Sequence, residues 1–233
     1  MGYDTDTLAV AKRKAIELME ETRREYQTDR TPVVISGCIG SRGDGNVPGR
    51  TMSTQEAETY HLEQIKTLAA TSADMVCAMT MNYMEEAIGV ARAARQAGMP
   101  VYISFTVETD VWLPTSQPLK SAIEQVDDQT AGYPTYYMIN CAHPIHFGTV
   151  LTAEEPLAQR ILGLRANASR MSHPDLDEVT ELDPGDPAEL GQEYAQLKTR
   201  LKHLRVFGRC CGTDIRHIEQ IANAALPLFR DPN

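Results

Sequence analysis

The residues best suited to chemistry in this chain are cysteines, and two of them are adjacent: Cys210 and Cys211 lie in "VFGRCCGTDIRHIEQIA", which begins at Val206. Neighbouring residues on an extended strand point to opposite faces. Two adjacent thiols can therefore serve one centre only where the strand ends and the backbone turns. Gly208 and Gly212, on either side, give the backbone that freedom. A third thiol, Cys141, ends an earlier apolar run, "YYMINC". Three thiolates around one tetrahedral zinc leave a fourth position open, as a catalytic site requires and a closed structural site does not. Spacing alone leaves a second reading equally open, in which all three are small buried residues. Free cysteine is commonly buried, and the familiar metal-binding pair with two intervening residues is absent.

The elements that would have to position these thiols can be read from the alternation of short apolar runs with amphipathic segments, the pattern of a parallel sheet built from β-then-α units. Strands are predicted over 32–37, 74–80, 101–107, 136–141, 160–167 and 204–210. Helices are predicted over 5–26, about 53–70, 84–98, 119–126 and 187–202, with a last one opening at Asp214, whose carboxylate can cap its free amides. Cys141 and the Cys210–Cys211 pair then lie at the carboxyl ends of two strands two units apart, where α/β proteins build their sites and where alternate barrel strands converge. A closed barrel needs eight strands and about 250 residues, so six units imply an open sheet or a barrel without its first two strands.

Composition narrows the partners. The chain has 233 residues, 42% of them apolar, and no linker or low-complexity block divides it, which predicts one domain. A net charge of −10 argues against nucleic acid and anionic membrane surfaces and leaves a small molecule as the expected substrate. No signal-like or membrane-spanning apolar run is present, so a cytoplasmic location with free or metal-bound thiols is expected. Cys38 and Cys77 lie inside apolar strands and read as core residues. The loop "GCIGSRGDGNVPG" lacks the Lys-Ser/Thr ending of a phosphate-binding loop and reads as part of the barrel mouth.

With "INCAHP" at 139–144 and "GRCCGTDIRHIEQIA" from Gly208, supported by "VVISGCIGSRGDG", "EEAIGVARAARQAGMPVYISFTVETD" and "GLRANASRMSH", the chain resembles the homocysteine S-methyltransferase family of zinc enzymes. The resemblance implies an α/β fold of the (β/α)8 TIM-barrel type with about six of its eight β/α units. It would form a single homocysteine-binding domain over residues 1–233, N-terminally incomplete, with 33–37 as the third family strand and no counterpart of the first two. It implies Zn2+ held by Cys141, Cys210 and Cys211. The implied reaction is methyl transfer to the thiol of homocysteine, or a similar thiol, giving methionine, with S-methylmethionine, betaine or S-adenosylmethionine as donor.

On this reading no separate general base is needed, and Asn140 and Asn167 are the polar contacts to the amino acid, each equally suited to tying down a loop. His143 could orient the Cys141 loop, and Tyr83 and Trp112 could cover a cationic donor. Two positions depart from the family pattern: Met79 stands where many relatives have a glutamate, and Arg209 replaces the second of two glycines before the cysteines. The alternative is a non-catalytic relative that binds zinc or a thiol, or that assembles with another chain. Exposed sheet edges favour pairing, so a homo-oligomer is expected.

Overall fold

Six parallel strands with helices packed against one face form the computed structural model, which describes residues 4–148, 150–152 and 156–230. The chain opens on α1 (Thr5–Tyr26), whose first turn is capped by Asp4, its carboxylate accepting from the Thr7 amide at 2.7 Å. β1 (Ser36–Gly40) leads to α2 (Thr54–Ala69), which starts at a reciprocal Ser53–Glu56 capping box. Then come β2 (Met75–Met81), α3 (Met84–Gln96), β3 (Val101–Thr106), α4 (Leu119–Thr130) and β4 (Tyr137–Asn140). Two short helices, α5 (Pro144–Phe147) and α6 (Pro156–Arg160), precede β5 (Ile161–Ala166). The chain closes with α7 (His173–Glu178), α8 (Pro187–Arg200), β6 (Val206–Arg209), α9 (Ile215–Ala225) and α10 (Pro227–Arg230).

The strands lie in the order of the sequence, β1 to β6, all parallel, so the sheet is a curled half-barrel whose two outer strands each have one neighbour. Alternation sorts the side chains. Ala78, Ile103, Phe105, Ile139 and Leu164 point under the helices into the main core, while Cys77, Met79, Tyr102 and Met138 form a smaller cluster on the inner face. β3 is buried at all six positions, which is why its sequence reads as a continuous apolar run. Gly89 lets α2 and α3 touch backbone to backbone, since a Cβ there would sit 2.5 Å from the Ala57 Cβ and 2.6 Å from the Glu58 amide nitrogen. No helix among the described residues is long and apolar enough to cross a membrane.

The first strand falls later than its apolar run suggests. Pro32 has no amide to donate, and Val34 is 61% exposed. The Ile35 amide is taken by the Asp74 carboxylate at 2.7 Å, so ladder pairing begins only at Ser36, opposite Met75. One consequence is that Cys38 does not lie in the core as expected: it is exposed on the inner face of an edge strand, whereas Cys77 is buried.

Candidate metal centre

The site begins with strained backbone at two strand ends. Cys141, directly after β4, has φ 57°, and the β-branched Thr80 at the end of β2 has the same value, in a region that non-glycine residues seldom occupy. Asn140, fully buried, holds both in place. Its Oδ1 accepts from the Thr80 amide at 3.1 Å and from Ser104 Oγ at 2.5 Å. Its Nδ2 donates to Thr80 Oγ1 at 3.0 Å and to Cys141 Sγ at 3.1 Å. One amide thus clamps the ends of β2, β3 and β4 beneath the thiol.

The second arm of the site follows β6. The Cys210 amide donates to the Ala166 carbonyl at 2.8 Å, and the Cys211 carbonyl accepts from the Ala168 amide at 2.9 Å. Gly212 then turns the chain at φ +76°, where a Cβ would also come 2.8 Å from the Asp183 carbonyl oxygen. Asp214 ends the turn and caps α9. The turn presents both neighbouring thiols to Cys141: Sγ of Cys141 and Cys210 are 2.9 Å apart, those of Cys210 and Cys211 3.9 Å, and all three lie within 4.8 Å of one another.

Asn167 joins the two arms, its Nδ2 donating to the Cys141 carbonyl at 2.9 Å and its Oδ1 accepting from the Cys211 amide at 3.1 Å. His173 braces the same carbonyl through Nε2 at 2.5 Å and meets Glu108 Oε1 through Nδ1 at 3.0 Å. Beside the thiols lies a cleft of about 310 Å³, lined by Cys141, Cys211, Asn167, Ser169, His173 and Asp183.

The thiols divide their protons unequally. Hydrogen bonds from Cys141 and then Cys210 hold Cys211 far below the ordinary thiol range, with a further contribution from His173. The hydrogen bonds to Cys210 and Cys211, and then burial, push Cys141 up. For Cys210 the bond to Cys141 pulls down, but Cys211 and burial outweigh it. A cluster of this kind releases its first proton from the most exposed member. Three soft donors, converging beside the cleft without an imidazole or carboxylate ligand in the group, are a donor set that would suit a metal such as zinc.

Of the other residues read from the sequence, Asn140 lies beneath the centre rather than in the cleft, and Asn167 lies across it. The Tyr83 hydroxyl accepts from the Met52 amide at 3.0 Å and so holds the loop after β1. Trp112 is 42% exposed, and His143 caps α5 through the Ile145 amide. Arg209 shares the parity of Phe207 and donates to the Thr213 carbonyl at 3.0 Å, so it points away from the inner face. The guanidinium inside the half-barrel belongs instead to Arg165, opposite Asn140 and Gly208 in register. His173, Glu108 and Asp183 escaped the sequence reading. Glu108 and His173 lie inside the motifs "FTVETD" and "GLRANASRMSH" but carried no role there, and Asp183 lies in a polar stretch without periodicity.

The homocysteine S-methyltransferase family matches this chain over residues 2–225. The chain belongs to that family. Homocysteine S-methyltransferases transfer methyl groups to homocysteine, and membership places the chain among methyltransferase enzymes. Its fold is similar to the crystal structure of the homocysteine methyltransferase MmuM from Escherichia coli in the apo form, with a TM-score of 0.71 and 17% identity, covering 97% of this chain and 77% of that one. The metallated form of MmuM gives a TM-score of 0.72 at 17% identity, over 95% of this chain and 73% of that one. No curated protein sequence matches the chain.

Proposed function

We propose that the protein transfers a methyl group from a sulfonium or quaternary ammonium donor, such as S-methylmethionine, betaine or S-adenosylmethionine, to the thiol of homocysteine, giving methionine. Zn2+ would be held by Cys141, Cys210 and Cys211. The observation that carries this reading is the convergence of three thiols from two strand ends on one side of a cleft. Bound there, the metal would supply acidity to a fourth, substrate thiol while leaving its sulfur nucleophilic.

The chain's own residues do the rest. Asn167 and His173 fix the peptide groups that carry the thiols, so the sulfurs are presented without rearrangement. Asp183 keeps its charge in the cleft, because a hydrogen bond from Ser169 and the Gly185 amide hold its carboxyl below the usual range. It is suited to an ammonium group where Met79 offers none. With the acceptor thiol already ionised, no side chain need act as general base. The same reading takes residues 1–233 as one barrel-type domain acting in the cytoplasm. It would be a homo-oligomer that covers the two open sheet edges.

Incubation with homocysteine and each of the three donors, with methionine measured, tests the proposal. Methionine from at least one donor, lost in Cys211→Ser, is expected. No methionine from a folded, zinc-loaded protein with any of them would overturn it. The open sheet favours a second reading, a family member that binds zinc or a thiol without turnover, and stoichiometric zinc with no methionine would decide for that.

A further inference from the structure

The inner face of the sheet carries a second pair of thiols, which methyl transfer does not use. Cys38 of β1 and Cys77 of β2 are direct partners in the parallel register, so both side chains leave the same face side by side. Neighbouring strands lie about 4.7–4.9 Å apart, inside the range of roughly 4.4–6.8 Å over which Cα atoms can be joined by a disulfide. Among the described residues β1 is an edge strand paired with β2 alone, so it can adjust toward β2. Cys38 is exposed to solvent, while Cys77 is buried against Met79, Tyr102 and Met138.

Two cations surround this pair. Lys12 reaches from α1 to place Nζ 3.4 Å from the Cys38 carbonyl. Arg165 enters from β5 beside Gly208, its Nη1 3.8 Å from Met79 Sδ. Among the described residues neither has a carboxylate within ion-pair distance. The neighbouring Cys77 thiol comes first in drawing Cys38 down to about 7, with Arg165 and Lys12 adding to it against burial. Cys77 moves the other way, pushed up by Cys38 and by burial, so it keeps its proton. An accessible thiolate beside a protonated partner thiol is the arrangement of a cysteine that oxidises reversibly.

We propose that Cys38 is a site of reversible oxidation by hydroperoxides, with Cys77 as the thiol that resolves it into a cross-strand disulfide. The Cys38 thiolate attacks the terminal oxygen of a hydroperoxide, the O–O bond breaks, and the leaving alkoxide takes a proton from water to become the alcohol. Cys38 is then a sulfenic acid. The Cys77 sulfur displaces its hydroxyl group, which leaves as water with the Cys77 proton, and the S–S bond forms. Two electrons pass from the thiol pair to the peroxide, and an external dithiol returns them.

The test uses the reduced full chain treated with about one equivalent of hydrogen peroxide, followed by maleimide blocking and non-reducing tryptic mapping. Tryptic cleavage puts Cys38 in peptide 31–42, Cys77 in 67–92, Cys141 in 121–160 and Cys210 with Cys211 in 210–216, so every linkage is distinguishable. The expected product is peptide 31–42 linked to 67–92, lost on treatment with dithiothreitol. In Cys77→Ser, Cys38 should instead accumulate a dimedone adduct of its sulfenic acid. A thiol of pKa about 7 rather than 9.0 is roughly fifty-fold more ionised at pH 7. Its lower nucleophilicity returns most of that gain, leaving oxidation about five- to eightfold faster in the native chain than in urea. The proposal is overturned if peptide 31–42 remains fully maleimide-labelled while 121–160 links to 210–216, or if native and unfolded chains oxidise Cys38 at the same rate.

Discussion

Replacing Asn167 by alanine should loosen the thiol centre without touching a thiol. The side chain is 4% exposed and makes two hydrogen bonds, to the Cys141 carbonyl at 2.9 Å and from the Cys211 amide at 3.1 Å. A net hydrogen bond is worth about 1 kcal/mol, and leaving a partly buried amide without a partner adds about 1 kcal/mol or more. The Cys141 carbonyl keeps its bond from His173, so the Cys211 amide bears most of the loss. The sum is about 2–3 kcal/mol, and if it falls on site organisation zinc affinity drops roughly 30- to 150-fold, overlapping the range for residues that orient metal ligands. Competition against a chromophoric chelator measures this directly, with circular dichroism to confirm that the variant is folded. Asn167→Asp should keep the bond from Cys211 and lose the one to Cys141, giving a smaller drop at high salt. If Asn167→Ala binds zinc within about threefold of the wild type, the bridge does not organise the site.

Three further outcomes are expected from residues outside the centre. His61 and Glu86 face each other at 2.8 Å with both side chains fully buried, and Glu86 also accepts from the Arg42 amide at 2.7 Å. Glu86→Ala should therefore cost about 3 kcal/mol or more in urea unfolding, with part recovered by adding His61→Phe; a loss below about 1 kcal/mol would contradict the buried-pair account. Gly89→Ala in an open helix would stabilise by about 1 kcal/mol, but the 2.5 Å approach to Ala57 should reverse the sign, and a raised melting temperature would show that α2 and α3 can separate freely. Asp214 is held well below the usual carboxylate range, chiefly by its hydrogen bond from Arg216. A depressed carboxyl stabilises the fold above its unfolded pKa and loses that effect as pH falls. The advantage of wild type over Asp214→Asn in thermal melts at pH 7 should thus shrink below about pH 4, and an advantage constant down to about pH 2 would refute the linkage.

Much of this architecture is legible in the sequence, because parallel strands buried on both faces read as unbroken apolar runs and because thiols at strand ends have few other uses. The runs that became β3 and β4 illustrate this. What stayed hidden depends on partners remote in sequence. The run "VVIS" looks like a strand, yet the Asp74 carboxylate takes the Ile35 amide and moves the ladder on by four residues. Asn140 and Asn167 carry equal weight as letters, and only the fold separates the clamp beneath the thiol from the bridge across the cleft. Arg165 interrupts a weak strand with a charge whose inward direction follows from the Ala166–Arg209 register, which no local pattern encodes. The four short helices, of 4, 5, 6 and 4 residues, are too brief for a 3.6-residue period to register.

The strand order has a consequence for how the chain is made. Each strand pairs with the one synthesised just before it, so a nascent chain can dock its strands in turn. Pairing with the preceding strand closes a shorter loop, and so costs less loop-closure entropy, than pairing a first strand with a last one would. A closed barrel, by contrast, must hold its first strand ready until its last arrives. Here the long waits fall on side chains at the site, because Cys141 meets Cys210 across 69 positions of sequence and Arg165 meets Met79 across 86. Five of the six strands can thus dock before the residues that complete the reactive centre have been made.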